Sequence, residues 1–138
     1  MSRIAWIDDD AHVMWSVVEP LQLAGFVIEK YPSLSEATAD LARICAADLI
    51  LLDVIMPPGT TVASGTRYSA ADFLRKLRSS SSPYPPVIVF TVIRDRTVLD
   101  ELEELGAARI LAKPVLPSVL KAAVEDVITA TPSSSSTA

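Results

Sequence analysis

Residues 49–53 have the sequence LILLD, in which four consecutive apolar side chains are followed by an acid. A short unbroken apolar run is typical of a strand that is buried on both faces, as in a parallel sheet. Similar runs occur at Ile4–Ile7, Val87–Phe90 and Ile110–Ala112, and a weaker one occurs at Phe26–Ile28. The sequence therefore predicts five short strands.

Segments with helical spacing follow each of these runs. After the first, Val13, Val17 and Leu21 recur along one helix face, and the other segments show the same kind of pattern. The second helix is predicted from Ser33 to about Ala46. Strand and helix thus alternate five times, which predicts one parallel sheet with helices on both faces.

The length and charge of the chain restrict its class. The 138 residues, with a formal net charge of −5, suit one domain, predicted over residues 1–130. The Ser-rich residues 131–138 are expected to be a disordered tail or the start of a linker. A negative domain lacks the cationic face that nucleic acid binding needs. One cysteine, Cys45, and no signal peptide or long apolar run predict a cytoplasmic domain without a membrane segment.

Polar residues capable of chemistry occur where the predicted strands end. Asp8 and Asp9 follow the first strand, and Asp53 ends the third. Thr91 ends the fourth strand, and Lys113 follows the fifth. The carboxyl ends of parallel strands share one edge of a sheet, and ligands bind there in doubly wound folds, so these five residues are expected to converge.

Converging carboxylates repel one another unless a proton or a cation joins them. Oxygen ligands without a nearby cluster of His or Cys favour a hard cation such as Mg²⁺. A metal beside Asp53 indicates phosphoryl transfer, in which the carboxylate is the nucleophile and forms an aspartyl phosphate. The Lys113 ammonium and the Thr91 hydroxyl could then bind phosphoryl oxygens.

These motifs resemble those of the receiver domains of two-component response regulators, over residues 3–128. WIDDD at residues 6–10 is similar to the family's acidic pair, and LILLDVIMP at residues 49–57 to its acceptor strand. VIVFT at residues 87–91 resembles the hydroxyl-bearing strand, and ILAKP at residues 110–114 the Lys-Pro pair. The resemblance implies a flavodoxin-like, doubly wound sheet of five parallel strands, in the order 2-1-3-4-5, with five helices.

The resemblance also implies a role for each residue of the site. Asp53 would be the phospho-acceptor, Thr91 the switch hydroxyl and Lys113 the phosphate counter-ion. A cis peptide bond would precede Pro114. The Mg²⁺ ligands would be Asp8, Asp9, Asp53 and the backbone carbonyl of Ile55.

The family's mode of action implies the partners. A sensor histidine kinase or a histidine phosphotransfer protein would supply the phosphoryl group. Phosphorylation would then change which partners the domain binds, and one such partner would be a second copy of the domain in a homodimer. The domain would be a signalling phospho-acceptor rather than an enzyme, with only self-catalysed phosphotransfer and dephosphorylation.

The sequence departs from the family pattern in three places. Ile110 stands where the family usually has Tyr or Phe, so the relay from Thr91 to the output surface is expected to differ. The connection over residues 57–68 (PPGTTVASGTRY) is longer than usual, and it is expected to alter partner choice, to shield the phosphate or to be a tolerated surface insertion. Apolar Ile55 and Ile93 beside the site predict slow loss of the phosphoryl group.

Two alternatives remain open from the sequence. One is a degenerate receiver-like binding module that is never phosphorylated. The other is a phosphatase of the haloacid-dehalogenase type, because Asp8 and Asp10 form that class's opening Asp-x-Asp. In that motif His12 would occupy a position where Thr or Val is usual.

Overall fold

The computed structural model describes residues 2–8, 11–31, 34–54, 69–80, 85–91, 96–112 and 115–130. The strands are β1 (Arg3–Ile7), β2 (Val27–Tyr31), β3 (Leu49–Val54), β4 (Val87–Thr91) and β5 (Ala107–Ala112). The helices are α1 (Ala11–Leu23), α2 (Leu34–Ala39), α3 (Leu41–Cys45), α4 (Ser69–Ser80), α5 (Arg96–Glu104) and α6 (Pro117–Ala130). The expected connection at residues 57–68 and tail at residues 131–138 lie outside the described residues.

The five strands form one sheet in the order β2-β1-β3-β4-β5, and every neighbouring pair is parallel. This confirms the predicted strand order. The chain reverses its direction of travel across the sheet between β1 and β3, which is where doubly wound folds form a crevice. The carboxyl ends of β1 and β3 therefore meet at the position where a ligand is expected.

The two edge strands correct the prediction that all strands are buried on both faces. All five residues of β4 are buried, whereas β2 and β5 contain only half-buried and exposed residues. An edge strand has one strand neighbour, and its outer flank faces solvent. The physical reason for the correction is position in the sheet, which the apolar runs do not encode.

Two hydrophobic layers cover the sheet, one on each face. The first, which we call the α2–α5 layer, joins Ile50 and Leu52 of β3 to helices α2, α3, α4 and α5, through residues such as Ile44, Leu77 and Leu102. The second, which we call the α1–α6 layer because α1 and α6 are the helices that supply its described residues, joins the alternate residues of the strands to these two helices. It includes Ile4, Trp6, Leu49, Leu51, Ile88, Phe90, Leu21 and Val124. Successive residues of β3 therefore enter opposite layers, as strand geometry requires.

Glycines end two of the helices. Gly25, after α1, has φ of 107°, and Gly106, after α5, has φ of 109°. The N–H of Gly25 donates to the carbonyl of Gln22, and the N–H of Phe26 donates to that of Leu21. These bonds satisfy the last carbonyls of the helix in a left-handed cap that glycine adopts without strain.

The structure has six helices in its described residues rather than the predicted five, because the second predicted helix is interrupted at Asp40. Asp40 has φ −114° and ψ 30°, outside the helical range. Its carboxylate accepts a hydrogen bond of 2.6 Å from the Tyr31 hydroxyl. The interruption thus coincides with a tertiary contact that no helical pattern predicts.

Trp6 is fully buried in the hydrophobic layer beside helices α1 and α6. Cys45 packs against the α2–α5 layer as a partly buried free thiol. In the part of the chain that the structure describes, no helix has both the length and the apolar composition to span a membrane.

Replacing Leu51 with Ala is expected to lower the free energy of unfolding by roughly 2–5 kcal/mol, because a fully buried leucine leaves a cavity in a close-packed layer. Leu23→Ala is the matched control, since 80% of the Leu23 side chain is exposed and its loss is expected to cost less than about 0.5 kcal/mol. Urea denaturation followed by circular dichroism measures both. Equal losses in the two variants would contradict the assignment of Leu51 to the core.

Candidate functional site

Asp8 is the first residue after β1, and it is buried, with 2% of its surface exposed. Its backbone N–H donates a hydrogen bond of 3.1 Å to the carbonyl of Tyr31, the last residue of β2. The two strands are paired up to Ile7 and Tyr31. The bond extends their contact by one residue, so the backbone of Asp8 is held at the carboxyl edge of the sheet.

Asp53 lies near the end of β3, the strand beside β1, and is 7% exposed. Ile7 pairs with Leu52, so continuing the register by one residue brings Asp8 opposite Asp53. Alternation along β1 and β3 gives both acids the parity of Trp6 and Leu51, which face the α1–α6 layer. The structure thus brings together two of the acids that the sequence predicts at one edge.

Two ionised carboxylates at these neighbouring strand ends would repel each other. Neighbouring strands lie about 4.8 Å apart, and two like charges at that distance repel by roughly 3 kcal/mol at an effective dielectric constant near 20. A divalent cation bound between the two acids would turn this repulsion into attraction. Because the donors are carboxylate oxygens, they fit a hard cation such as Mg²⁺.

The remaining predicted metal ligands, Asp9 and the carbonyl of Ile55, lie outside the described residues. In the ranges that the structure does describe, no group of three or more His, Cys, Asp or Glu residues could hold a metal. Of the predicted metal ligands, the described residues include Asp8 and Asp53.

Thr91 ends β4 and is 1% exposed. It pairs with Val54, one position beyond the pairing of Asp53 with Phe90. Side chains alternate along a strand, so Thr91 faces the same side of the sheet as Val87 and Val89, which pack in the α2–α5 layer. Asp53 faces the other side of the sheet. The Thr91 hydroxyl and the Asp53 carboxylate are therefore found near the ends of neighbouring strands, on opposite faces of the sheet.

In the described part of the chain, the buried polar side chains lie at this edge of the sheet. Among the residues that the structure describes, the buried polar side chains are Asp8, Asp53 and Thr91, and all three lie at or just after the carboxyl end of a strand. Burying polar groups is costly, so a fold retains them where they are bonded or used. Their concentration at one edge distinguishes this place from the rest of the core.

Lys113 and Pro114 lie outside the described residues, so the phosphate counter-ion and the cis peptide bond remain predictions. The described chain leads to them directly, because Ala112 ends β5 in register with Thr91. Ile93 and His12 likewise supply no described side chain at the site.

Ile110, at the position of the family's usual aromatic residue, lies in β5 and pairs with Val89. It is partly buried and packs against the α2–α5 layer. A branched aliphatic side chain in that layer contacts apolar neighbours and has no hydroxyl with which to report on Thr91. This packing supports the expectation that any relay from the site differs here.

Tyr31 is a residue that the sequence motifs do not single out. Its hydroxyl donates to Asp40, and partial burial, followed by this bond to a carboxylate, raises the pKa of Tyr31 to about 12. The phenol therefore stays protonated and able to donate across the ordinary pH range. The pairing of Tyr31 with Asp40 has no sequence signature, since the partners belong to a strand end and a helix junction.

Comparison with known proteins identifies the family. The chain matches the response regulator receiver domain family over residues 4–125. It is 29% identical over 114 residues to protein CcdB of Bacillus subtilis, covering 83% of this chain and 87% of CcdB. Transcriptional regulatory protein PdtaR of Mycobacterium tuberculosis is 25% identical over 123 residues, covering 89% of this chain but only 55% of PdtaR.

A solved structure gives the same result for the fold. A two-component response regulator from Clostridium difficile superimposes with a TM-score of 0.78 at 21% identity, covering 96% of this chain and all of the other. The family match runs from the second residue of β1 to within α6, and it includes Asp8 and Asp53 at the strand ends. The chain therefore belongs to the response regulator receiver domain family of two-component signalling.

Proposed function

We propose that this receiver domain accepts a phosphoryl group on Asp53, with Mg²⁺ as the required cation. The observation that carries the proposal is that, among the described residues, buried polar side chains lie at one edge of the sheet, where Asp8, Asp53 and Thr91 are found at the ends of adjacent strands. A purely structural core would not concentrate two acids and a hydroxyl there. The family match supports the same role for Asp53.

The Mg²⁺ ligands in this proposal are Asp8, Asp9, Asp53 and the backbone carbonyl of Ile55. When bound, Mg²⁺ would neutralise charge on the carboxylates and on the incoming phosphoryl oxygens. Asp8 and Asp53 fit this role because their oxygens are hard donors on adjacent strand ends.

In the transfer step, a carboxylate oxygen of Asp53 attacks the phosphorus atom and forms an acyl phosphate. The bond from phosphorus to the donor breaks, and the donor leaves with the bonding electron pair. Lys113 is proposed to balance the negative charge of the bound phosphoryl group, and Thr91 to donate a hydrogen bond to one of its oxygens. The chain contributes position and charge rather than a separate catalytic base.

Replacing Thr91 with Val should slow phosphorylation by acetyl phosphate about tenfold or more, because one hydrogen bond to a charged group is worth roughly 1.5–3 kcal/mol. Val keeps the branched shape but has no hydroxyl. Thr91→Ser retains the donor and should react close to the wild-type rate. Intact-mass measurements over time give both rates. An unchanged rate in the Val variant would remove Thr91 from the phosphoryl site.

Incubation of the wild-type protein with acetyl phosphate and Mg²⁺, followed by intact-mass spectrometry, tests the proposal directly. The expected result is a mass gain of one phosphoryl group. No gain is expected when EDTA is added before acetyl phosphate. No gain at any Mg²⁺ concentration would instead favour the degenerate binding module. The family match over residues 4–125 leaves the phosphatase alternative without support.

The proposed phosphoryl donors in the cell are a sensor histidine kinase or a histidine phosphotransfer protein, met in the cytoplasm, where the free thiol of Cys45 would stay reduced. The domain would act as a self-phosphorylating switch and not as an enzyme on a separate substrate. A homodimer is the proposed response to phosphorylation. Size-exclusion chromatography with and without beryllofluoride measures it, and an unchanged elution volume would reject it.

A further inference from the structure

The end of β2 is linked both to the metal site and to the break between α2 and α3. On one side, the carbonyl of Tyr31 accepts the backbone N–H of Asp8 at 3.1 Å. On the other side, the Tyr31 hydroxyl donates to the carboxylate of Asp40 at 2.6 Å. One residue therefore connects the helix junction to the backbone of a proposed Mg²⁺ ligand.

The local geometry shows that the carboxylate of Asp40 serves this link rather than the helix. Asp40 is the N-cap residue of α3, and an aspartate there commonly accepts a hydrogen bond from the first turn. Its side chain makes no such capping bond and instead accepts from Tyr31. The bond is short, at 2.6 Å, and its acceptor is a carboxylate oxygen; hydrogen bonds of this kind are among the stronger side-chain hydrogen bonds.

The position of β2 explains why such an anchor is needed. β2 is an edge strand and pairs only with β1, so its last residue has strand contacts on one side alone. The end of a strand that is hydrogen-bonded to a neighbour on one side only tends to separate from the sheet. The neighbouring helices α2 and α3 are held to the sheet by the buried residues Ala37 and Ile44, and they offer a fixed support.

We propose that the hydrogen bond between Tyr31 and Asp40 is a positioning device for the metal site: it holds the end of β2, whose carbonyl in turn holds the backbone of Asp8 in the geometry that binds Mg²⁺. The inference rests on the proposed function, because it takes Asp8 to be a ligand. Tyr31 touches neither the metal nor the phosphoryl group, and it acts through Asp8. Groups that orient metal ligands commonly affect metal affinity as strongly as some ligands do.

The test measures the dissociation constant of Mg²⁺ by calorimetry in Tyr31→Phe, in Asp40→Ala and in the double variant. Groups that directly support a ligand affect metal affinity by about 10- to 100-fold, so a device acting one residue further away should weaken binding roughly three- to tenfold. The double variant should lose no more than either single variant, since both remove the same bond. Asp40→Asn keeps an acceptor oxygen and should bind close to the wild-type value.

The rate of phosphorylation by acetyl phosphate separates positioning from general damage. In Tyr31→Phe the Mg²⁺ concentration for half the maximal rate should rise by the same factor as the dissociation constant. The rate at saturating Mg²⁺ should equal that of the wild type, because the reacting groups are unchanged. A lower saturating rate with unchanged Mg²⁺ affinity would overturn the inference.

Asp48→Ala provides a matched control at the opposite end of β1. The Asp48 carboxylate accepts the backbone N–H of Arg3 at 2.7 Å, so this variant also removes a carboxylate hydrogen bond beside that strand. It should lower stability without changing Mg²⁺ affinity. If Asp48→Ala weakens Mg²⁺ binding as much as Tyr31→Phe does, the effect is general loosening and the inference is wrong. If the wild type itself fails to bind Mg²⁺, the proposed function fails instead.

Discussion

Asp53→Asn is expected to abolish the phosphoryl mass gain that the wild-type protein shows with acetyl phosphate and Mg²⁺. An amide has nearly the shape of a carboxylate but lacks the charged nucleophilic oxygen that attacks phosphorus. Asp53 is buried beside Asp8, so its replacement by an isosteric neutral group should leave the fold intact. Intact-mass spectrometry after a fixed incubation gives the result.

Asp100→Asn is the matched control for this substitution. Asp100 lies on α5, where its exposed carboxylate pairs with Arg96 one helical turn away. An exposed pair of this kind contributes less than about 1 kcal/mol, so the control should fold and gain mass like the wild type. If Asp53→Asn still gains one phosphoryl group, the acceptor is another residue and the proposed role of Asp53 is wrong. Loss of the gain in both variants would indicate damage unrelated to the acceptor.

Asp8→Asn is expected to remove most of the stabilisation that Mg²⁺ confers. A ligand that binds only the folded protein raises the free energy of unfolding by about 2.7 kcal/mol at a concentration of 100 times its dissociation constant. The wild type should show a gain of this size in urea denaturation with saturating Mg²⁺. Loss of a charged ligand should weaken binding, so the variant should show little gain at the same concentration.

The stability of Asp8→Asn without Mg²⁺ is a second, independent test of the same site. With one of two adjacent carboxylates neutral, their repulsion disappears, and the variant should unfold at a higher urea concentration than the metal-free wild type. Asp126→Asn, on the exposed face of α6, serves as the control and should respond to Mg²⁺ like the wild type. Mg²⁺ stabilisation that survives undiminished in Asp8→Asn would exclude Asp8 from the ligand set.

The sequence was sufficient to predict the sheet because the relevant signals are local. Apolar runs such as LILL at residues 49–52 are long enough for one buried strand, and the regular alternation with helices leaves few topologies. Order along the chain then placed Asp8, Asp53 and Thr91 at one edge. The structure confirms the strand order, and it buries these three side chains.

Other features could not be predicted, because they depend on neighbours far away in sequence. The exposure of β2 and β5 follows from their edge positions in the assembled sheet. The break at Asp40 coincides with a hydrogen bond to Tyr31, and a helical pattern within residues 33–46 contains no trace of that partner. The link from Tyr31 to the backbone of Asp8 is likewise a property of paired strands.

By itself, the sequence determined the alternation of strand and helix, the acids and hydroxyl at the strand ends, and the family to which the chain belongs. Those features depend on residue type and spacing, which neighbouring residues along the chain already express. Only the tertiary structure decided which strands are edges, where the second helix breaks, and how Asp8 is held. Those features depend on contacts across the sheet, and such contacts exist only after the chain has folded.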